Sequence, residues 1–219
     1  MGSVFQSLFY MIKFDAIIVA NGEFPTHTIP LSLLKEAGCI ICCDGATNKL
    51  SAAGFEPDII VGDLDSISSE LKALYAEKVV HVKSQDDNDL TKAVNLACKK
   101  GFKNIAITGA TGLRADHTIG NIFLLATYIE KAVVTLFTDD GTFEAANKTT
   151  SFESFSGQQV SIFAVNPTTK ISSKGLRYAL NQMQLTSPWM GTLNEADGSC
   201  FELKFDDGEL IVYQSYEKK

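Results

Sequence analysis

The sequence predicts an α/β N-terminal domain built on a mostly parallel, doubly wound sheet, followed by a C-terminal all-β domain, a sandwich or a barrel. Two observations predict it. Through residue 137, short β-branched apolar runs bounded by glycine or acid alternate with stretches whose apolar residues recur at helical spacing. Continuous apolar runs suit strands buried on both faces, and the alternation is that of βαβ units. From about residue 139 helical periodicity gives way to short alternating segments separated by glycine, asparagine and Asp-Asp-Gly turns, the texture of antiparallel strands.

Taken in order, AIIVA (16–20), CIICC (39–43), DIIVG (58–62), VVHV (79–82) and NIAIT (104–108) read as strands. Between them LSLLKEAG (31–38), ATNKLSAAG (46–54) and SSELKALYAEK (68–78) read as helices. The clearest helix is 88–101, where Leu90, Val94, Ala97 and Cys98 share one face, Asp87 or Asn88 stands at the N-cap and Gly101 at the C-cap. After the change of texture, segments 150–155, 158–165, 169–180, 199–205 and 209–216 read as antiparallel strands of a sandwich or barrel. The boundary falls near Asp139 to Gly141, giving domains 1–139 and 140–219. Met11 opens the lead into the first strand, so the native start is either Met11 or an ordered segment 1–10.

With 45% apolar residues, 21% charged and a net charge of −7, the chain has ample core material and an acidic balance that argues against a nucleic-acid partner. No apolar run approaches the ~20 residues of a spanning helix, and the basic region and cleavage pattern of a signal peptide are absent, which argues against a membrane. Four of the five cysteines (Cys39, Cys42, Cys43, Cys98) fall in predicted core elements. The Cys39–Cys42 spacing is better explained by the burial habit of free thiols than by zinc or redox chemistry, so the expected compartment is reducing, hence cytoplasmic.

If the apolar runs are parallel strands, the loops after them gather at one edge of the sheet, where open α/β sheets bind ligands. Asp44 follows the second run, Asp63 and Asp65 the third, and Asp86, Asp87 and Asp89 the fourth. Taken singly, Asp44 or Asp87 reads equally well as a helix cap. Together they exceed what capping needs, because crowded carboxylates destabilise one another unless a cation sits among them. A divalent metal is the expected occupant. The fifth loop, Gly109 through His117, adds two glycines whose backbone N–H groups can approach an anion, the fork of Arg114, and the N-terminus of a following helix with Asp116 and His117. It lacks the ending of a Walker A loop. His27 and His81 read as structural or surface residues.

These residues resemble the thiamine pyrophosphokinase family. The motifs that carry the resemblance are Asp44-Gly45-Ala46 with Leu50, Gly62-Asp63-Leu64-Asp65-Ser66, Asp86 and Asp89 with Ala93, Gly109 through His117, and Gly175-Leu176-Arg177-Tyr178 with Gly191-Thr192 and Asn194-Glu195, in that order along the chain. The resemblance implies an α/β catalytic domain, a C-terminal β-sandwich and a homodimer with clefts between subunits. The implied reaction moves the pyrophosphoryl group of ATP to the hydroxyl of thiamine, giving thiamine diphosphate and AMP. Carried over by position, Asp44, Asp63, Asp65, Asp86 and Asp89 would hold magnesium, and Asp44, Gly45, Gly109, Gly112, Arg114, Asp116 and His117 would receive the nucleotide. Asp63, Asp65, Asp89 and Arg114 would serve the transfer, with Asp65 or Asp89 helping to deprotonate the hydroxyl.

Three positions depart from the family pattern. Ser84 and Asn88 replace an acid and a threonine, and Leu193 replaces a serine that would contact the aminopyrimidine. Trp189, the only tryptophan, either stacks on the thiamine rings or packs in the sandwich or dimer contact, and Asn194 offers a hydrogen bond to the acceptor. Two other classes compete: a haloacid-dehalogenase-like magnesium phosphatase, whose Asp-x-Asp resembles Asp63-Leu64-Asp65 but belongs on a first strand, and a nucleotide-binding module without turnover.

Overall fold

The computed structural model describes residues 13–62, 66–82 and 87–218. Asp63, Asp65 and Asp86, and the question of residues 1–10, lie outside the described residues. Its contacts divide the described chain into two units, one made of 13–124 with 130–139 and the other of 125–129 with 140–218.

The first unit is a parallel sheet of six strands: β1 (Ala16–Val19), β2 (Ile40–Cys43), β3 (Ile59–Gly62), β4 (Val79–His81), β5 (Asn104–Thr108) and β6 (Val133–Phe137). Their order across the sheet is β6-β5-β1-β2-β3-β4, every neighbouring pair parallel. All four residues of β1 and of β2 are buried, so both faces of the central strands are covered, as the unbroken apolar runs require. Ile18, Ile41, Ile60, Ile105 and Ile107 are fully enclosed, each worth roughly 1.5–3 kcal/mol of burial.

The helices of this unit are α1 (Thr28–Glu36), α2 (Ala46–Ala52), α3 (Ser69–Leu74), α4 (Asp89–Lys99) and α5 (Ala115–Phe123). Three begin at side-chain caps: His27 Nδ1 accepts from the N–H of Ile29 at 3.3 Å, Ser68 Oγ from Leu71 at 3.3 Å, and Asn88 Oδ1 from Thr91 at 2.8 Å. His27 is therefore structural, and Asn88, not Asp87, caps α4. Gly101, at φ +90°, receives the chain in the left-handed turn that ends α4.

From β1 the chain winds outward through β2, β3 and β4, then returns on the other side of β1 to form β5 and β6. The winding reverses between β1 and β5. Adjacent strands whose loops leave in opposite directions open a crevice at their carboxyl ends, which makes the β1 and β5 loops the walls of the natural ligand site.

The second unit contains two antiparallel sheets. One has the order β12-β9-β14-β7, from β7 (Gly141–Ala146), β9 (Gln159–Ala164), β12 (Asn194–Glu195) and β14 (Leu210–Ser215). The other runs β11-β10-β13-β8, from β8 (Thr150–Glu153), β10 (Lys170–Lys174), β11 (Met183–Gln184) and β13 (Cys200–Lys204). Val160, Ile162 and Val212 of the first sheet share a core with Phe152, Ile171, Phe201 and Leu203 of the second, and the rings of Phe152 and Phe201 stack at 5.1 Å. A short helix, α6 (Leu125–Tyr128), is counted with this unit. Among the described residues no helix is long and apolar enough to cross a membrane.

Candidate functional site

A cleft of about 350 Å³ opens where the winding reverses, walled by Asn21 and Gly22 after β1, Ala110 and Thr111 after β5, Arg114, His117 and Asn121 at α5, Cys43 at the end of β2, and Asn88 and Asp89 at α4. Gly109 and Gly112 have φ of +66° and +99°, a backbone that side-chain-bearing residues rarely adopt. A Cβ on Gly109 would stand 2.8 Å from the carbonyl of Ala20, so the β5 loop lies against the β1 loop only because that position is glycine. The amide of Asn121 donates to the carbonyl of Ala110 at 2.8 Å and holds the loop from the far end.

Asp44 is buried at the carboxyl end of β2. The α2 helix starts from Gly45 with no side-chain cap, and the Asp44 carboxylate instead accepts the N–H of Ser66 at 3.2 Å across the sheet edge. The alternative that Asp44 is a helix cap is thereby set aside. Asn48, one turn further along α2, donates to the carbonyl of Ser66 at 2.9 Å and accepts the N–H of Ser68 at 3.2 Å, so two side chains of the Asp44–Asn48 turn fasten the residues that follow Asp65. Gly62 leaves room here, since a Cβ on it would stand 2.5 Å from Asp44 Cβ.

Asp89 opens α4 and accepts from the ammonium of Lys92, a largely buried lysine, at 3.0 Å. Burial pushes the Cys43 thiol well above its ordinary pKa, and the neighbouring Cys42, Asp89 and Asp44 add to the effect. Cys42 is pushed up to about 12, again by burial, and Cys39 is raised by burial and by Asp58. Thiols held this firmly protonated are poor nucleophiles and poor metal ligands.

Arg114 and His117 line the cleft, and both are exposed. The sequence reading had the guanidinium fork open to phosphate. In the structure it closes on Asp116 instead, Nε to Oδ1 at 3.1 Å and Nη2 to Oδ2 at 2.5 Å. Hydrogen bonding from Arg114 holds the Asp116 carboxyl down to about 2.

In the second unit Trp189 is 73% exposed and Leu193 is 72% exposed, which sets aside packing of the tryptophan inside the sandwich. Leu193 has φ +60°, an uncommon conformation for a leucine. The Asn194 side chain is committed to backbone: Oδ1 accepts from Tyr178 N–H at 3.1 Å and from Glu195 N–H at 2.9 Å, while Nδ2 donates to Tyr178 carbonyl at 2.8 Å. Asn194 thus fixes the Arg177–Tyr178 turn.

Among the described residues no three histidine, cysteine, aspartate or glutamate side chains meet at one point. The described carboxyl edge nevertheless presents oxygen donors of one kind, Asp44 with the space that Gly62 leaves beside it, and Asp89; Asp63, Asp65 and Asp86 lie outside the described residues. An all-carboxylate set fits a hard divalent cation.

Asn21, Gly22, Lys92 and Asn121 were not singled out from sequence. Lys92, three residues after Asp89 on a helix, carried a readable signal in its spacing. The others act through long-range loop contacts that no local pattern announces.

The family model for the thiamin pyrophosphokinase catalytic domain matches residues 31–137, and that for the thiamin pyrophosphokinase substrate-binding domain matches residues 141–213. Thiamine pyrophosphokinase 1 of Oryza sativa subsp. japonica is 29% identical over 202 residues, 78% of this chain and 75% of its own length. Thiamin pyrophosphokinase 1 of Caenorhabditis elegans is 29% identical over 189 residues, 79% and 77% respectively. The crystal structure of thiamine pyrophosphokinase from Bacillus subtilis aligns with a TM-score of 0.76 at 25% identity, covering 91% of this chain and 98% of that one. Matched in both domains and in their order, over a fold shared with a solved member, the chain belongs to the thiamin pyrophosphokinase family.

Proposed function

We propose that this protein is a thiamine diphosphokinase, moving the terminal pyrophosphoryl group of ATP to the hydroxyethyl oxygen of thiamine and releasing thiamine diphosphate and AMP. The observation that supports it most is the cleft between the β1 and β5 loops, where a left-handed glycine loop and the start of α5 stand with Asp44 and Asp89 at one sheet edge inside a chain of this family. Asp44, Asp63, Asp65, Asp86 and Asp89 would hold magnesium. Bound there, the ion would neutralise the triphosphate and stabilise charge on the transferred group.

The remaining work falls to the chain itself. Backbone N–H groups of the Gly109–Gly112 loop receive phosphate oxygens, and Arg114 exchanges Asp116 for phosphate as substrate enters. Asp65 or Asp89 accepts the proton of the attacking hydroxyl, a new bond forms to the β-phosphorus, and the bond from that phosphorus to the AMP oxygen breaks. Trp189 offers a stacking face for a cationic aromatic acceptor. A homodimer and a cytoplasmic setting complete the reading, the latter supported by five free cysteines.

Neither competing class gains support. A haloacid-dehalogenase-like phosphatase would carry its aspartate pair after the first strand, where this chain has Asn21-Gly22, and the Asp63–Asp65 segment follows β3, a strand flanked by β2 and β4. A module that binds nucleotide without turnover is separated by experiment: ATP labelled at the β-phosphorus should pass its label to thiamine. Label retained on unreacted ATP, or recovered as ADP, would overturn the proposal.

A further inference from the structure

The β1 loop carries none of the aspartates or phosphate motifs of the other loops, its one acid being Glu23, yet it forms part of the cleft wall and is tied down on two sides. Toward β5, the N–H of Ala20 donates to Thr108 at 2.9 Å, Gly22 to Gly109 at 2.6 Å and Glu23 to Thr111 at 2.7 Å. Gly22 is required for this approach, since a Cβ there would collide with the carbonyls of Thr111 and Gly109. Toward α2, the connection is one side chain: Lys49 Nζ donates to the Gly22 carbonyl at 2.5 Å, to Asn21 Oδ1 at 3.4 Å and, at 3.5 Å, to the Asn21 carbonyl.

That contact fixes the Asn21 amide as well as the backbone. An ammonium only donates, so the Asn21 oxygen must be the atom turned toward Lys49, and the N–H2 end is left facing away from it. That end lies against Gly45, next to Asp44, where a Cβ would occupy its place. Asn21 and Gly22 both line the cleft.

We propose that Lys49 is a positioning residue for the nucleotide: it locks the Asn21–Gly22 turn between α2 and the β5 glycine loop, and so presents the Asn21 amide N–H2 to an anionic oxygen of the triphosphate. The inference rests on the reading of this cleft as the ATP site. It assigns Asn21 a direct contact with substrate, and Lys49 an action through Asn21.

The experiment is a titration of each variant with ATP–magnesium by calorimetry, alongside steady-state kinetics for both substrates and a thermal melt. Asn21→Asp retains an oxygen for Lys49 but replaces the donor with a negative charge, so it should keep its melting temperature and weaken ATP–magnesium binding by about tenfold or more. Lys49→Met should raise the Michaelis constant for ATP by about tenfold with that for thiamine unchanged, and Lys49→Arg should recover most of the loss. Combined with Asn21→Ala, Lys49→Met should add little, because both remove one interaction. Wild-type affinity for ATP–magnesium in Asn21→Asp, or equal loss for both substrates in Lys49→Met with a fall in melting temperature, would overturn the proposal. Loss of ATP–magnesium affinity by calorimetry in Asn21→Asp and Lys49→Met, recovered in Lys49→Arg, in a protein that releases no AMP would overturn the transfer reading and leave this inference standing.

Discussion

Arg114 illustrates how one guanidinium can match two kinds of partner. Its fork, closed on Asp116, matches a carboxylate as well as it would match phosphate, and both groups are exposed, so the pair exchanges at little cost. Arg114→Lys keeps the charge and loses the two-pronged geometry, and a fall in kcat/KM of at least tenfold is expected; equal rates would reduce Arg114 to a solvated charge. The pH behaviour follows from the sign of the shift. Asp116 is depressed to about 2, so the pair is intact above the ordinary carboxylate pKa and is lost only as pH falls toward 2, leaving any activity change between pH 6 and 9 to other groups.

Trp189 is the corresponding test on the second unit. A stacked aromatic contact is worth roughly 0.5–1.5 kcal/mol beyond burial, so Trp189→Ala should raise the Michaelis constant for thiamine by up to about tenfold and spare that for ATP. Loss of both affinities together with thermal stability would return the residue to a packing role. The thiols give a third check. With Cys42 pushed up to about 12 and Cys43 also raised, a thiol reagent at neutral pH should modify exposed Cys200 in the folded protein and reach Cys42 and Cys43 only on unfolding. Rapid labelling of Cys42 would contradict the buried strand.

At the scale of elements, α4 couples fold to site, since the residue before Asp89 is its cap. Asn88→Ala removes the bond to Thr91 and should cost about 1 kcal/mol, a fall in melting temperature of roughly 2–4 °C for a chain of this size. No change would mean the helix start is held by other contacts. Elements were the most legible level of the sequence: unbroken runs such as IICC declare strands covered on both faces, and Gly101 declares the end of α4. Loops were less so. Nothing in Asn-Gly-Glu announces that the β1 loop is bracketed between Lys49 and the β5 glycines, because those bonds depend on which strands become neighbours. The same holds for Asn194, whose motif position suggested a ligand contact while its amide is spent on Tyr178, and for β7, which shows no clear alternation and finds its partner in β14 at the far end of the chain. The acid pair Asp63 and Asp65 is a sequence expectation that lies outside the described residues, and the nearest described contacts are those by which Asp44 and Asn48 fasten Ser66 and Ser68.

For the whole molecule, the strand order decides where chemistry can occur. A winding that reverses between β1 and β5 opens its crevice there, and β2, β3 and β4 end at the same sheet edge because every strand is parallel. Such an arrangement suits the proposed reaction, in which a triphosphate is held and an acceptor is directed to the β-phosphorus. The central claim is that this acceptor attacks the β- and not the γ-phosphorus. Purified protein incubated with ATP, magnesium and thiamine, with products resolved and quantified over time, should yield AMP and thiamine diphosphate in equal amounts; ADP with thiamine monophosphate as the main products would contradict it.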